Sequence, residues 1–402
     1  MEINYFIGYT IKDDQRYYLT KKNSYLLNTD SISINEATER YGGFYIDNTH
    51  YTVENNNYYP LYFSKVNEDY NLKQIKEIDD QIILSIDKLL SRFNSPFIKS
   101  LDNKRYYTFD CYSKRSYGKK ITKIPLDGPF SCPNRDGKIS KLGCTFCFGG
   151  SNAFPNISSK DLLEQYQQRK QIYLNKWQDS VFYAYFQSYS NTYASIDFLK
   201  KFYQPFIENE QIKGIVIATR CDCLDKQKID WLNSLTKYKP IWLEIGLQST
   251  NDATLKEMNR GHSYQDFLDV IELLKDTDIM ISVHLINGWP SESIETMLET
   301  AKKVGQLPID AVKFHMLHVC KGTPLGYKYQ QKPFDLLTKQ QYVELVAKQI
   351  TYLSKDMIIE RLTGDSLKEV LLAPEWTIKK VNVINDIDKE MLKNDYYQGL
   401  NH

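Results

Sequence analysis

The sequence predicts an α/β fold: a partial (β/α)6 barrel carrying a small N-terminal α+β unit and a C-terminal extension. Three observations carry that expectation. From about residue 118 onward, six short apolar runs alternate with segments of helical period, the order that specifies a parallel sheet with helices packed on it. Residues 1–71 differ, being rich in Tyr, Asn, Ser and Thr in short alternating runs. The chain's 402 residues also exceed the size at which one hydrophobic core stops growing, roughly 250–300, so a main domain with appendages is expected.

Each element follows in order. Residues 1–100 read as an accessory α+β unit, with strand-like runs THYTV (49–53) and YYPLYF (58–63). Ile75, Ile78, Ile82, Ile86, Leu89, Leu90 and Phe93 recur at three- and four-residue steps, which predicts an amphipathic helix over 74–93 ending before Asn94-Ser95-Pro96. Residues 101–123 read as a basic and aromatic linker. The barrel spans 118–320, with strands at 123–127, 181–186, 214–219, 241–247, 279–286 and 311–319 and helices near 159–176, 195–208, 226–236, 252–259, 263–275 and 291–305. Residues 321–402 form an extension packed on the barrel, with a long helix near 336–354.

Composition excludes some classes. Lys plus Arg number 51 against 50 Asp plus Glu, so no global field recruits a polyanion and any nucleic-acid contact must be local. No run approaches the roughly 18 apolar residues of a membrane span, and the N-terminus lacks a signal-peptide pattern, so the expected address is the cytoplasm. P-loop and HExxH signatures are absent. Seven cysteines, an odd number, favour metal or redox chemistry over a disulfide framework.

Three of those cysteines are grouped. Cys132, Cys144 and Cys147 stand at Cys-x11-Cys-x2-Cys spacing in the loop after the first barrel strand. Three thiolates suit iron or zinc. A structural zinc site closes with four ligands and would have to recruit distant Cys111, Cys221 or Cys223. A three-cysteine site leaves one iron of a [4Fe–4S] cluster open to another ligand.

The segments YGKKITKIPLDGPFSCPNRDG, GCTFC, YFQSYSNTYA, GLQSTNDATLKEMNRGH, VKFHMLHVCKGTPL and LTGD with LLAPEW together resemble the YhcC/YtqA group of radical S-adenosylmethionine (SAM) proteins, relatives of the Elongator catalytic subunit. The likeness covers about residues 115–380. Leu142 departs from it, standing where the group usually has a second Gly, and the first 110 residues lie outside it. The resemblance implies a radical SAM barrel, a [4Fe–4S] cluster on Cys132, Cys144 and Cys147, and SAM on its open iron. Phe146 then lies where such loops carry an aromatic near the adenine, with ordinary core packing as the competing role. Gln187 and Ser188, with Tyr189, stand where the SAM amino group is contacted, and Arg220 with Asp222 suits its carboxylate unless they form a surface ion pair. Glu244 and Gln248 are expected to contact SAM or substrate, and Gly288 to let the backbone approach adenine. Candidate catalytic residues are His315, His318 and Glu244, although a histidine in a strand is more often a core residue. Arg260-Gly261-His262 reads equally as a capping turn, and Cys221, Cys223 and Cys320 as structural thiols.

Lys104, Arg105, Lys114, Arg115, Lys119, Lys120 and Lys123 interleave with tyrosines over 104–123, the composition of a single-strand RNA surface and equally of a solvated linker. Since Elongator-type enzymes act on wobble uridine, the resemblance implies a tRNA substrate and a reductant such as flavodoxin or ferredoxin. A small-molecule or protein substrate, and a noncatalytic RNA-binding protein with structural zinc, are the rival readings.

Overall fold

The computed structural model describes residues 104–148 and 161–402 in full and, before residue 104, the backbone of seven short strands. These divide into two compact units, Met1–Gly118 and Lys119–His402.

In the first unit, Phe6–Lys12 pairs antiparallel with Gln15–Thr20, and Thr49–Glu54 lies antiparallel between Phe44–Ile46 and Asn57–Pro60. The helix expected over 74–93 falls outside the described residues. The expected linker differs from what is found: Phe109–Tyr117 is a helix. Thr108 caps its start by accepting from the Cys111 amide, Asp110 pairs with Lys114 one turn on, and Gly118 closes it in the left-handed conformation at φ 67°. Those local signals outweigh a composition that reads as solvated coil.

The second unit is built on one parallel sheet of seven strands, hydrogen-bonded in chain order: β1 Lys120–Leu126, β2 Ser180–Phe186, β3 Gly214–Thr219, β4 Ile241–Gln248, β5 Met280–Asn287, β6 Ala311–Met316 and β7 Ile358–Arg361. It curls as a half-barrel with β1 and β7 at its two edges. Six strands were expected, within a few residues of those observed. The seventh, of four residues, is too short for periodicity to reveal and lies in the segment read as an extension. The run 311–319 also ends early: Val319–Cys320 leaves the sheet and pairs antiparallel with Leu371–Ala373.

Side chains alternate along each strand, and the two faces differ in kind. Leu243, Ile245 and Leu247 of β4, Val283 and Leu285 of β5, and Val312 and Phe314 of β6 make an apolar face, buried to within a few per cent. Helices Ile196–Glu208, Tyr264–Leu274, Ile294–Gly305 and Lys339–Thr351 each bury an apolar stripe. The helix over Ile294–Gly305 approaches the turn after Lys339–Thr351 so closely that a Cβ on Gly305 would meet the Tyr352 carbonyl at 2.2 Å. The inner face is polar instead, with Lys123, Glu244, His284, Lys313, His315 and Glu360. Because all strands run one way, the loops after β1 to β6 share one end of the half-barrel, and the cysteine loop is among them.

Candidate active site

The loop after β1 is held in shape by its own backbone. Arg135 and Asp136 amides donate to the Cys132 carbonyl at 2.8 and 3.1 Å, the Cys147 amide to the Cys144 carbonyl at 3.0 Å, and Gly143 N–H to Asn134 O at 2.7 Å. Gly137 and Gly143 take φ of 97° and 72°, which an L side chain rarely adopts. Leu142 lies outside that region and is 74% exposed, so the missing glycine imposes no strain. Arg135 ties the ends together by donating to the Cys147 carbonyl at 2.9 Å.

A second turn, Met258–Gly261 after β4, is stitched to this loop. Thr145 N–H donates to Met258 O at 2.9 Å, Asn259 Nδ2 to Gly143 O at 2.7 Å, and Asn134 Nδ2 to Asn259 O. Asn259 and Gly261, at φ 54° and 71°, flank Arg260 and turn its guanidinium inward. Arg260 Nη1 donates to Cys144 Sγ at 3.2 Å, and Asn134 Nδ2 donates to the same sulfur at 3.4 Å. Burial alone would push the Cys144 thiol up, yet the guanidinium groups of Arg260 and Arg220 and these two donors bring it below its ordinary value. Lowering the thiol's value eases its conversion to the thiolate, the form that binds metal.

Among the described residues no three Cys, His, Asp or Glu side chains are gathered at metal-holding distance. The test of fit is therefore chemical. Cys144 is a buried thiol under two N–H donors and beside two guanidinium groups, and Arg220 Nη1, Arg260 Nε and Asn134 Oδ1 are buried with no hydrogen-bond partner among the described residues. Buried polar atoms without partners are costly, and an anionic ligand above this surface would satisfy the guanidinium donors. The residues fit a cluster and a carboxylate-bearing cofactor.

The other expected site residues fall into three places. Arg220 follows β3, its Nε and Nη2 forking onto Asp222 at 2.8 and 2.7 Å; this is a half-buried, oriented pair, with Arg220 itself 4% exposed. Ser188, after β2, is held by donation to Asp127, and Asn191 braces the same loop through Phe186, Ser188 and Ala218 carbonyls at 3.0 to 3.1 Å. Gln187 stands at this end too, as does Gln248 at φ 81°. Gly288 also lies here at φ 94°, but a Cβ on it would touch Leu337 at 3.4 Å. Phe146 packs edge-on against Trp289, with ring centroids 6.4 Å apart. Cys221, Cys223 and Cys320 are buried, and burial pushes the first two thiols up to about 12, leaving them protonated.

Glu244 sits deeper, mid-strand and 1% exposed. Both of its oxygens are engaged: Oε1 accepts from Lys123 at 2.8 Å and Lys313 at 2.5 Å, Oε2 from Tyr185 at 2.5 Å and His284 at 3.2 Å. Lys123 also pairs with Glu360, and Lys313 lies 3.7 Å from it. Burial opposes every charge here, yet the two ammonium groups hold the Glu244 carboxyl well below the usual range. Burial likewise lowers Lys313, but Glu244 and Glu360 raise Lys123 despite it. His284 and His315, ring centroids 5.4 Å apart, are lowered by burial and neighbouring cations and stay neutral. His318 packs against Gly364 and is lowered by burial to about 4.

Lys123 therefore belongs to the interior, a correction to its place in the expected RNA-binding patch. Other members of that patch are engaged as well: Lys119 pairs with Asp179 at 2.5 Å, and Lys120 lies 4.3 Å over the Trp177 ring. Sequence reasoning missed Tyr185, Lys313, Glu360 and the sulfur contact of Arg260. The available signal was a lysine inside each of two apolar strands, KIPLD and AVKFHM, since a buried charge needs a partner.

Comparison with known proteins gives consistent matches. Residues 137–304 match the Radical SAM superfamily and 309–393 the Radical SAM C-terminal domain. The chain is 36% identical over 307 residues to the uncharacterized protein YtqA of Bacillus subtilis, covering 76% of this chain and 95% of that one. A tRNA uridine(34) acetyltransferase of Methanocaldococcus infernus is 28% identical over 184 residues, 45% of this chain and 33% of that one. The solved structure of M. infernus Elp3 lacking residues 1–46 superposes with a TM-score of 0.53 at 18% identity, over 70% of this chain and 64% of the other, a likeness of fold.

Proposed function

Because the chain belongs to the YhcC/YtqA-type radical SAM family, enzymes that use a [4Fe–4S] cluster and SAM, we propose that Cys132, Cys144 and Cys147 hold the cluster and that the substrate is the wobble-uridine side chain of tRNA. The observation that carries the site assignment is the buried Cys144 sulfur, which accepts from Arg260 and Asn134 at one end of a parallel half-barrel. When bound, the cluster and SAM supply reductive cleavage of the sulfonium and a 5′-deoxyadenosyl radical able to take hydrogen from a substrate.

The chain's own residues do the rest. The 258–261 turn fixes the cysteine loop against β4. Asp222 orients Arg220 so that its buried Nη1, without a partner among the described residues, can receive the SAM carboxylate. Lys123, Glu244, Lys313 and Glu360 form a buried ionic network, and neutral His315 offers toward a substrate a buried Nε2 that has no partner among the described residues. A neutral imidazole can donate or accept according to its tautomer.

Support for tRNA comes from the likeness to a protein named tRNA uridine(34) acetyltransferase. The reading is tested in two stages. After anaerobic reconstitution, wild type is expected to form 5′-deoxyadenosine from SAM with a strong reductant, and Cys147→Ala is not; failure of a fully loaded wild type would remove the mechanism. Nucleoside analysis of tRNA from cells with and without the gene should then show a changed wobble uridine, and identical profiles would remove the tRNA substrate while leaving the enzyme class intact.

A further inference from the structure

Arg260 is 5% exposed, yet among the described residues it forms no ion pair with a carboxylate. Its neighbour Arg220 is matched by Asp222, whereas Arg260 has Cys144 Sγ at 3.2 Å, His262 Nε2 at 3.1 Å and the Gly246 carbonyl, with Nε left without a partner among the described residues. A buried cation with no carboxylate counterion is unstable unless another anion neutralises it. Its guanidinium is instead directed at the Cys144 sulfur, to which Nη1 donates at 3.2 Å.

The placement is enforced. Asn259 and Gly261 in the left-handed region flank Arg260, its amide donates to Leu255 O at 2.9 Å, and its carbonyl accepts from Arg220 Nη2 at 2.6 Å. The backbone of residue 260 is thereby fixed from both sides, and the guanidinium is held by its contacts to Cys144, Gly246 and His262.

Resting on the assignment of Cys144 as a cluster ligand, we propose that Arg260 sets the reduction potential of the cluster. Reduction adds one negative charge to a cluster already bearing thiolates. A cationic N–H donor on one ligand sulfur stabilises that added charge and raises the potential, and burial magnifies the effect. Arg260 makes the cluster easier to reduce, which eases electron delivery before SAM is cleaved. It acts through the ligand, as a positioning residue.

The test compares wild type, Arg260→Gln, Arg260→Lys and Cys144→Ala, each reconstituted anaerobically with iron and sulfide as the full chain. Iron content and visible absorption are measured first, then the cluster midpoint potential by spin-resonance-monitored redox titration without SAM. Arg260→Gln is expected to retain iron and shift the midpoint negative by about a tenfold change in the reduction equilibrium, ~59 mV for a one-electron couple. Arg260→Lys, which keeps the charge without the fork, should recover part of the shift. Iron-loaded variants with an unchanged midpoint would overturn the proposal. Loss of iron in both Arg260 variants would also overturn it, marking the residue as a strut for the loop. A Cys144→Ala protein that binds a full cluster would instead refute the ligand assignment on which the proposal rests.

Discussion

Glu244 accepts from four side chains on four different strands, Lys123 of β1, Tyr185 of β2, His284 of β5 and Lys313 of β6. The carboxylate therefore neutralises cations that the chain brings together from positions far apart in sequence. Removing one member of a buried pair leaves the other charge uncompensated at a cost of about 3–5 kcal/mol. Glu244→Gln should lower the urea midpoint accordingly with an unchanged dependence on urea concentration, as measured by circular dichroism at neutral pH. Arg220 makes a different prediction, because its fork onto Asp222 orients a guanidinium whose Nη1 has no partner among the described residues. Losing one charge-assisted hydrogen bond is worth roughly 1.5–3 kcal/mol, so Arg220→Lys should weaken SAM binding by on the order of tenfold or more in equilibrium dialysis of the cluster-loaded protein.

The elements that matter for function are turns rather than the strands they follow. Met258–Gly261 bonds to the cysteine loop at Thr145, Gly143 and Asn134, so the geometry of the proposed cluster site depends on a short turn more than a hundred residues downstream. Gly261 cannot be replaced cheaply: at φ 71°, a Cβ would meet Ile139 Cγ2 at 2.6 Å. Gly261→Ala is expected to reduce iron uptake on reconstitution and to destabilise the fold by roughly 1–3 kcal/mol from strain and overpacking. Normal iron content and an unchanged melting temperature would show that the turn and loop tolerate separation. The neighbouring helix Tyr264–Leu274 has an independent start signal, the capping box of Ser263 and Asp266. Ser263→Ala should therefore cost about 1 kcal/mol while leaving cluster binding intact.

Across the whole molecule, buried imidazoles couple stability to pH. His262 and His318 are each lowered to about 4, in both cases chiefly by burial, and nearby guanidinium groups add to the effect. In the unfolded chain a histidine titrates near 6.5. Between about 6.5 and 4 the unfolded chain binds protons at these positions that the folded protein does not, so stability falls as pH is lowered through that window. Each group contributes a slope of up to about 1.4 kcal/mol per pH unit. The unfolding midpoint should thus decline steadily from neutral pH toward 4, and His318→Gln should flatten the decline. A profile equally steep in that variant would place the dependence on other groups.

The alternating strand and helix runs by themselves determined the parallel half-barrel, because a hydrophobic period is a local property that each segment carries unaided. The Cys132-x11-Cys144-x2-Cys147 spacing likewise places the three proposed cluster ligands within a single loop. The four-residue β7 and the helix Phe109–Tyr117 were hidden, one by its shortness and the other by a polar composition that its caps override. What only the tertiary structure decided is which polar groups meet. Lys123 reads in sequence as one cation of a basic stretch and is found against Glu244 and Glu360, 121 and 237 residues away. Arg260 reads as part of a capping turn and is found on the sulfur of Cys144. Pairing of buried charges is a condition on the folded interior, satisfied between strands and loops that the sheet brings together, and no local pattern in the chain encodes the partner.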